Sequence, residues 1–163
     1  MLVRLPKTFN GQLTLKSLGE LAKKYFSGSG TGYGFIWPGL VDVLGDYSID
    51  KSRWVLMTKD VLPGSRNKAY ATQQKIVDEL AEQSLISYEV PETLESAACI
   101  LSQYFGSNIC LFSTNPWTYT RCKEEFRGDL VAVGNFGPSG LHLSTRTYEG
   151  GKSCVGVAAP RKF

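Results

Sequence analysis

A chain of 163 residues, 42% hydrophobic and 20% charged, is long enough to bury one core without disulfide or metal staples and too apolar for wholesale disorder. Its net charge of +3 comes from eighteen Lys and Arg spread along the chain, which argues against the concentrated basic stripe of a dedicated nucleic-acid binder. No apolar run approaches the roughly 18 residues that a membrane span needs, so no membrane association is expected.

In chain order, Thr14 to Tyr25 predicts an amphipathic helix. Thr14 can cap it, Leu15, Leu18, Leu21, Ala22 and Tyr25 share a face, and Lys16, Glu20, Lys23 and Lys24 face water. The Gly- and Ser-rich stretch from Ser27 to Gly34 breaks the pattern as a flexible loop. Between Phe35 and Gly45, Pro38 and Gly45 suit the start and end of a short helix, with a strand as the alternative. Trp54 to Thr58 is β-branched and apolar and reads as a buried strand, followed by a Pro63-Gly64 turn. A second long helix is expected from about Tyr70 to Gln83 on Ile76, Val77, Leu80 and Ala81. After a short strand at Ile86 to Val90, Pro91 opens a third helix whose stripe is Leu94, Ala97, Ala98, Leu101 and Phe105 and whose stop is Gly106.

The period then changes. Ile109 to Phe112, Leu130 to Val133, Leu141 to Ser144 and Cys154 to Val157 are short apolar runs between Gly, Pro, Asn and Ser, the pattern of strands. The expectation is a single α+β domain over 1–163. Helices of the first two-thirds pack on a mostly antiparallel sheet completed by C-terminal strands. Exposed strand edges leave self-association into a homo-oligomer open.

Four cysteines, Cys99, Cys110, Cys122 and Cys154, stand far apart, and His142 is the only histidine. Structural zinc wants paired ligands at short spacing, so no metal site is read, and no cofactor motif is present. Cys99 and Cys110 sit in apolar runs and read as buried small hydrophobes. The opening Met1 to Lys7 lacks the apolar core of a signal peptide. A cytoplasmic protein with free thiols is expected, and export by a signal-independent machine is compatible with that.

Two segments are candidates for binding. In Lys59 to Lys68 a strand ends, a Pro-Gly turn follows, and Ser65, Arg66, Asn67 and Lys68 lead into a helix. A helix start with free N–H groups and nearby cations favours phosphate or carboxylate. The plainer alternative is a solvated loop in which Ser65 or Asn67 caps the helix. The P-loop spacing is absent. In Asn115 to Cys122, Trp117, Tyr119 and Arg121 would share one face of an extended segment and could stack a base or grip a peptide. The alternative is a core corner anchored by Trp117, with Arg121 paired to Glu124 or Glu125. Gly134 to Gly140 reads as a wide hairpin loop rather than a phosphate loop.

Catalytic sets fall short. No nucleophile elbow, paired catalytic carboxylates or metal triad is present. His142, between Leu141 and Leu143, lies on the face of its strand opposite the leucines. Lys59-Asp60 is the best acid–base candidate, and ion pairs at such places are more often structural.

The stretches Leu15 to Phe26, Asp50 to Lys68, Tyr88 to Pro91, Asn115 to Cys122, Gly137 to Leu141, Val155 to Ala158 and Arg161 to Phe163 together resemble the uncharacterised C-terminal domain of F-box-like proteins from amoeba-associated, chlamydia-related bacteria. The resemblance runs from Leu13 to the end and implies a role in host–microbe or genetic conflict. It supplies no catalytic residue or cofactor, and the domain here carries no F-box. The expectation is a non-enzymatic binding module for an anionic small molecule, a nucleotide and its sequestration among the candidates, or for a partner protein. It would use Lys59, Ser65, Arg66, Asn67, Lys68, Trp117, Tyr119 and Arg121. The alternative is a small enzyme acting on a nucleotide or a protein.

Overall fold

Thr14 opens the first helix, α1 (Leu15–Ala22), through a reciprocal cap. Its hydroxyl accepts the Ser17 N–H at 3.1 Å, and the Ser17 hydroxyl accepts the Thr14 N–H at 2.9 Å. The helix stops short of Tyr25 because the Tyr25 and Phe26 amides converge on the Ala22 carbonyl, closing the last turn tightly. The computed structural model describes residues 1–8, 11–26, 30–145 and 151–163. Residues 27–29 of the expected Gly- and Ser-rich loop lie outside them.

Around α1 the chain adds β1 (Leu2–Leu5), β2 (Phe35–Ile36), α2 (Leu40–Leu44), β3 (Arg53–Met57), α3 (Tyr70–Ser84) and α4 (Thr93–Ser107). The C-terminal third is β4 (Tyr119–Phe126), β5 (Asp129–Gly137), β6 (Gly140–Ser144), β7 (Val155–Gly156) and β8 (Pro160–Lys162). The class is α+β, but the strands form two sheets rather than one. The smaller is β1-β3-β8, antiparallel throughout, and the larger is β2-β6-β5-β4-β7, antiparallel at its centre with parallel pairs at both edges.

Helix α4 packs against β1, β4, β5 and α1. That explains why Thr93 to Leu101 is buried on every side instead of along one stripe. Glu124 fixes its start: both carboxylate oxygens accept the Thr93 N–H, at 3.0 and 2.9 Å, and one also accepts the Thr93 hydroxyl at 2.8 Å. The core joins Ala97, Ile100 and Leu101 of α4 to Cys122, Val131, Val133, Phe136, Leu141 and Leu143 on the inner face of the larger sheet. Leu143 has no exposed surface. Leu143→Ala is therefore expected to lower stability by about 2–5 kcal/mol, read as a fall in the urea midpoint with an unchanged m value.

Several local expectations are corrected. Ile86 to Val90 is not a strand, since Glu89 donates a backbone bond to Pro160 without extending it into a ladder. Ile109 to Phe112 is not one either, because Phe112 adopts a positive φ of 52° that bends the run. Helix α4 runs through Gly106 and ends where Asn108 takes the left-handed conformation. The Gly134 to Gly140 loop shrinks to a turn at Pro138-Ser139, because β5 continues with a bulge to Gly137. Among the described residues no helix is long and apolar enough to cross a membrane.

Candidate functional site

The two segments expected to bind do meet, and an arginine ties them together. The Arg66 guanidinium donates to the Thr118 hydroxyl at 2.7 Å and to the carbonyls of Trp117 and Ser153 at 3.3 and 3.5 Å. Asp60 stands 3.8 Å away. Ser65 is buried: its hydroxyl donates to the Leu62 carbonyl at 2.7 Å and accepts the Val157 N–H at 3.1 Å. The Asn67 N–H donates to the Lys152 carbonyl, and neither Ser65 nor Asn67 caps α3, whose N-cap is Ala69. Lys59, Asn67 and Lys68 are exposed. A pocket of about 230 Å³ lies between the segments, walled by Lys59, Asp60, Arg66, Phe112, Pro116 and Thr118 among others, and Arg121 is not one of its walls.

Arg121 belongs elsewhere because of strand alternation. On β4, Cys122 packs into the main core and the Thr120 hydroxyl accepts the Ala158 N–H. Tyr119 and Arg121 therefore point to the opposite, outer face, whereas Trp117 precedes the strand and is 53% exposed. Register extends that face across the sheet. Arg121 is level with Ala132, which is level with Ser144. In the next row Tyr119, Gly134, His142 and Phe35 line up. Ala132 and Gly134 carry almost no side chain, and the row above them is closed: Tyr119 packs with Val155 and Ala132, and Arg121 and Ser144 are buried. Arg121 on β4 and Ser144 on β6 flank Ala132 at two strand spacings, roughly 10 Å. Gly134 is required there, because a Cβ would come within 2.2 Å of the Thr118 carbonyl oxygen.

The electrostatics of this face are unusual. Arg121 has no exposed surface, and none of its three guanidinium nitrogens has a hydrogen-bond partner among the described residues. Neither expected acid reaches it: Glu124 is bound to Thr93, and Glu125 is exposed. Burial pushes the Arg121 pKa down, and Tyr70 at the start of α3 opposes that shift. On the same face the buried Ser144 hydroxyl and Asn135 amide oxygen also lack partners among the described residues. The Asn135 amide nitrogen lies 3.1 Å from His142 Nδ1. Phe35 and Trp37, each more than one-third exposed, form an aromatic ledge at the β2 edge, with ring centroids 6.2 Å apart.

Arg121 and Tyr119 of this face were legible as candidates, whereas Ser144, Asn135, Phe35, Trp37 and Tyr70 were not. The alternation of Leu141 to Ser144 carries a signal for Ser144, since it must share the non-core face with His142. Cys110, expected to be buried, is only partly so, as is Cys154. Cys99 and Cys122 are fully buried and burial pushes both pKa values up, the wrong direction for a nucleophile. The acidic and basic groups near α4 are arranged as a network. Arg53 lies 3.0 Å from Glu92 and 3.5 Å from Glu95, and Lys162 lies 2.8 Å from Glu92 and 3.6 Å from Glu89. Comparison with protein-family models, curated proteins and solved structures yields no match.

Proposed function

We propose that the chain is a non-enzymatic binding module that takes a small anion, a carboxylate or phosphate, on the outer face of its five-stranded sheet. The observation that carries the reading is the wholly buried Arg121 guanidinium, whose three nitrogens have no partner among the described residues. A charged group out of water without a partner is strongly unfavourable. Its planar fork matches two oxygens of a carboxylate or phosphate. Ser144 and Asn135 supply a neutral donor and an acceptor for the rest of such a ligand, and the Phe35–Trp37 ledge offers stacking to an aromatic group, as on a nucleotide. Arg66, engaged with three protein oxygens, acts here as the clamp that fixes the end of β4. A binder of this kind would act in host–microbe conflict by sequestering its ligand.

The test is thermal unfolding across a panel of inorganic phosphate, dicarboxylates and nucleoside mono- and diphosphates, with wild type and Arg121→Met in parallel. A ligand at a hundred times its dissociation constant is expected to stabilise the wild type by about 2.7 kcal/mol and to leave the variant unmoved. A nucleotide preference should fall with Trp37→Ala while phosphate binding persists. No shift with any anion, or an equal shift in Arg121→Met, rejects the reading.

A further inference from the structure

A cleft lies between α1, α4 and β1. It has a volume of about 510 Å³ and is walled chiefly by Leu5, Leu13, Leu18, Leu21, Ala98 and Phe105. Tyr25 stacks on Phe105 with ring centroids 4.4 Å apart and extends the apolar wall outward. The size falls within the range of small-ligand sites, which are mostly apolar with a few placed polar groups. Here the polar groups are the Ser102 hydroxyl, the Tyr25 phenol and Arg4. Arg4 is exposed, and among the described residues that line the cleft it is the cation and none is a carboxylate.

We infer that this cleft binds an amphipathic carboxylate, its alkyl chain lying between α1 and α4 and its head group on Arg4. Leu5, Leu13, Leu18 and Ala98 form a buried base, and the accessible wall is Leu21, Phe105 and the ring of Tyr25, a mostly apolar surface that selects for hydrocarbon. Arg4 then sets the sign of the head group, and an uncharged or cationic head forfeits that contact. The inference is independent of the anion site at Arg121, which sits on the outer face of the larger sheet and offers Arg, Ser and Asn side chains rather than a hydrocarbon wall.

Displacement of a fluorescent fatty acid by octanoate, decanoate and dodecanoate, each below its micellar concentration, tests this on the full chain. Each added methylene buried should tighten binding about fourfold, so the series should span two orders of magnitude or more. Arg4→Met, a change at an exposed position, should weaken dodecanoate about tenfold and bring it level with dodecanol. Ser102→Trp fills the cleft and should abolish binding, with thermal unfolding confirming that the variant folds. Arg121→Met should leave the series intact. Affinity independent of chain length, dodecyltrimethylammonium binding as well as dodecanoate, or equal binding by Ser102→Trp overturns the proposal. So does concentration-dependent dimerisation that Ser102→Trp removes without any binding of dodecanoate by the wild type, because the cleft would then be covered by a second copy of the chain.

Discussion

Arg121→Met is expected to make the ligand-free protein more stable, by about 1–4 kcal/mol, while removing its response to anions. Replacing buried charges by apolar side chains of similar length is neutral or stabilising by that amount even where the charges are paired. Arg121 has no pair among the described residues: its Nε and both Nη atoms are buried without partners. Burial already pulls its pKa down, the sign of an ionised form held at a disadvantage. Methionine retains most of the aliphatic stem and packs adaptably against Tyr119 and Ala132. The comparison is made by urea unfolding without ligand, using the midpoint at constant m, and again with the best anion of the panel. A side chain kept at the expense of stability is what a binding site predicts. A loss of several kcal/mol in the ligand-free variant would show instead that the guanidinium holds the fold together, and the anion site would fall with it.

The elements that the sequence made legible are those whose pattern is local. Helices α3 and α4 and strands β3 and β6 carry enough apolar residues within their own span to be placed, and Val77, Leu101, Val55 and Leu143 are buried. Two expectations fail in detail: α4 is buried beyond its stripe, and Trp54, expected within a buried strand, is 48% exposed. Strand β4 was not legible because Arg-Cys-Lys-Glu-Glu within it reads as surface. It becomes a strand only because β5 and β7 pair with it on both sides. Strands β1 and β8 are four and three residues long, and β8 begins at a proline, so each is defined by its ladder with β3 rather than by its composition. In all three, tertiary pairing overrides a weak local preference.

The candidate site divides in the same way. The sequence placed Tyr119 and Arg121 on one face, because period-two alternation needs only the strand itself. It could not tell which face, nor that Ser144 comes level with Arg121 through Ala132, since that depends on the register of three strands. Nor could it tell that Arg66, read as an anion contact, would spend its donors on Trp117, Thr118 and Ser153, residues 51 to 87 positions away. An arginine's partners are set by what the fold brings to it. The same long-range rule leaves one arginine as an internal clamp and the other without a partner among the described residues.

A third arginine shows the reverse of Arg121, and its removal should be costly. Arg53→Met is expected to lower stability by about 3–5 kcal/mol near neutral pH, the range for stripping one partner from a buried ionic cluster. Arg53 is 12% exposed and Glu95 not at all, at 3.5 Å. Glu95 has its pKa raised, first by burial, against the downward pull of Lys162 and Arg53. Without Arg53 the ionised carboxylate is left with Lys162 at 4.0 Å beside the negative charge of Glu92. The pH dependence follows from the signs. A folded pKa raised above the unfolded value means that Glu95 favours the folded state when protonated, and this contribution is lost as pH rises through the folded pKa. Glu92, despite its burial, is held below the ordinary range by Lys162 and Arg53, and Glu89 by its bond to Lys123. Their contributions are present above the unfolded carboxylate range and fade on acidification. Both effects act in one direction on the comparison: the deficit of Arg53→Met should be largest near pH 7 and should shrink as the pH falls towards that range. Adding Glu95→Gln should recover much of it at pH 7, because an amide needs no counter-ion. A deficit below about 1 kcal/mol that is flat with pH would place the cluster among the weak surface pairs, and would mean that α4 is anchored by its packing and its Glu124 cap alone.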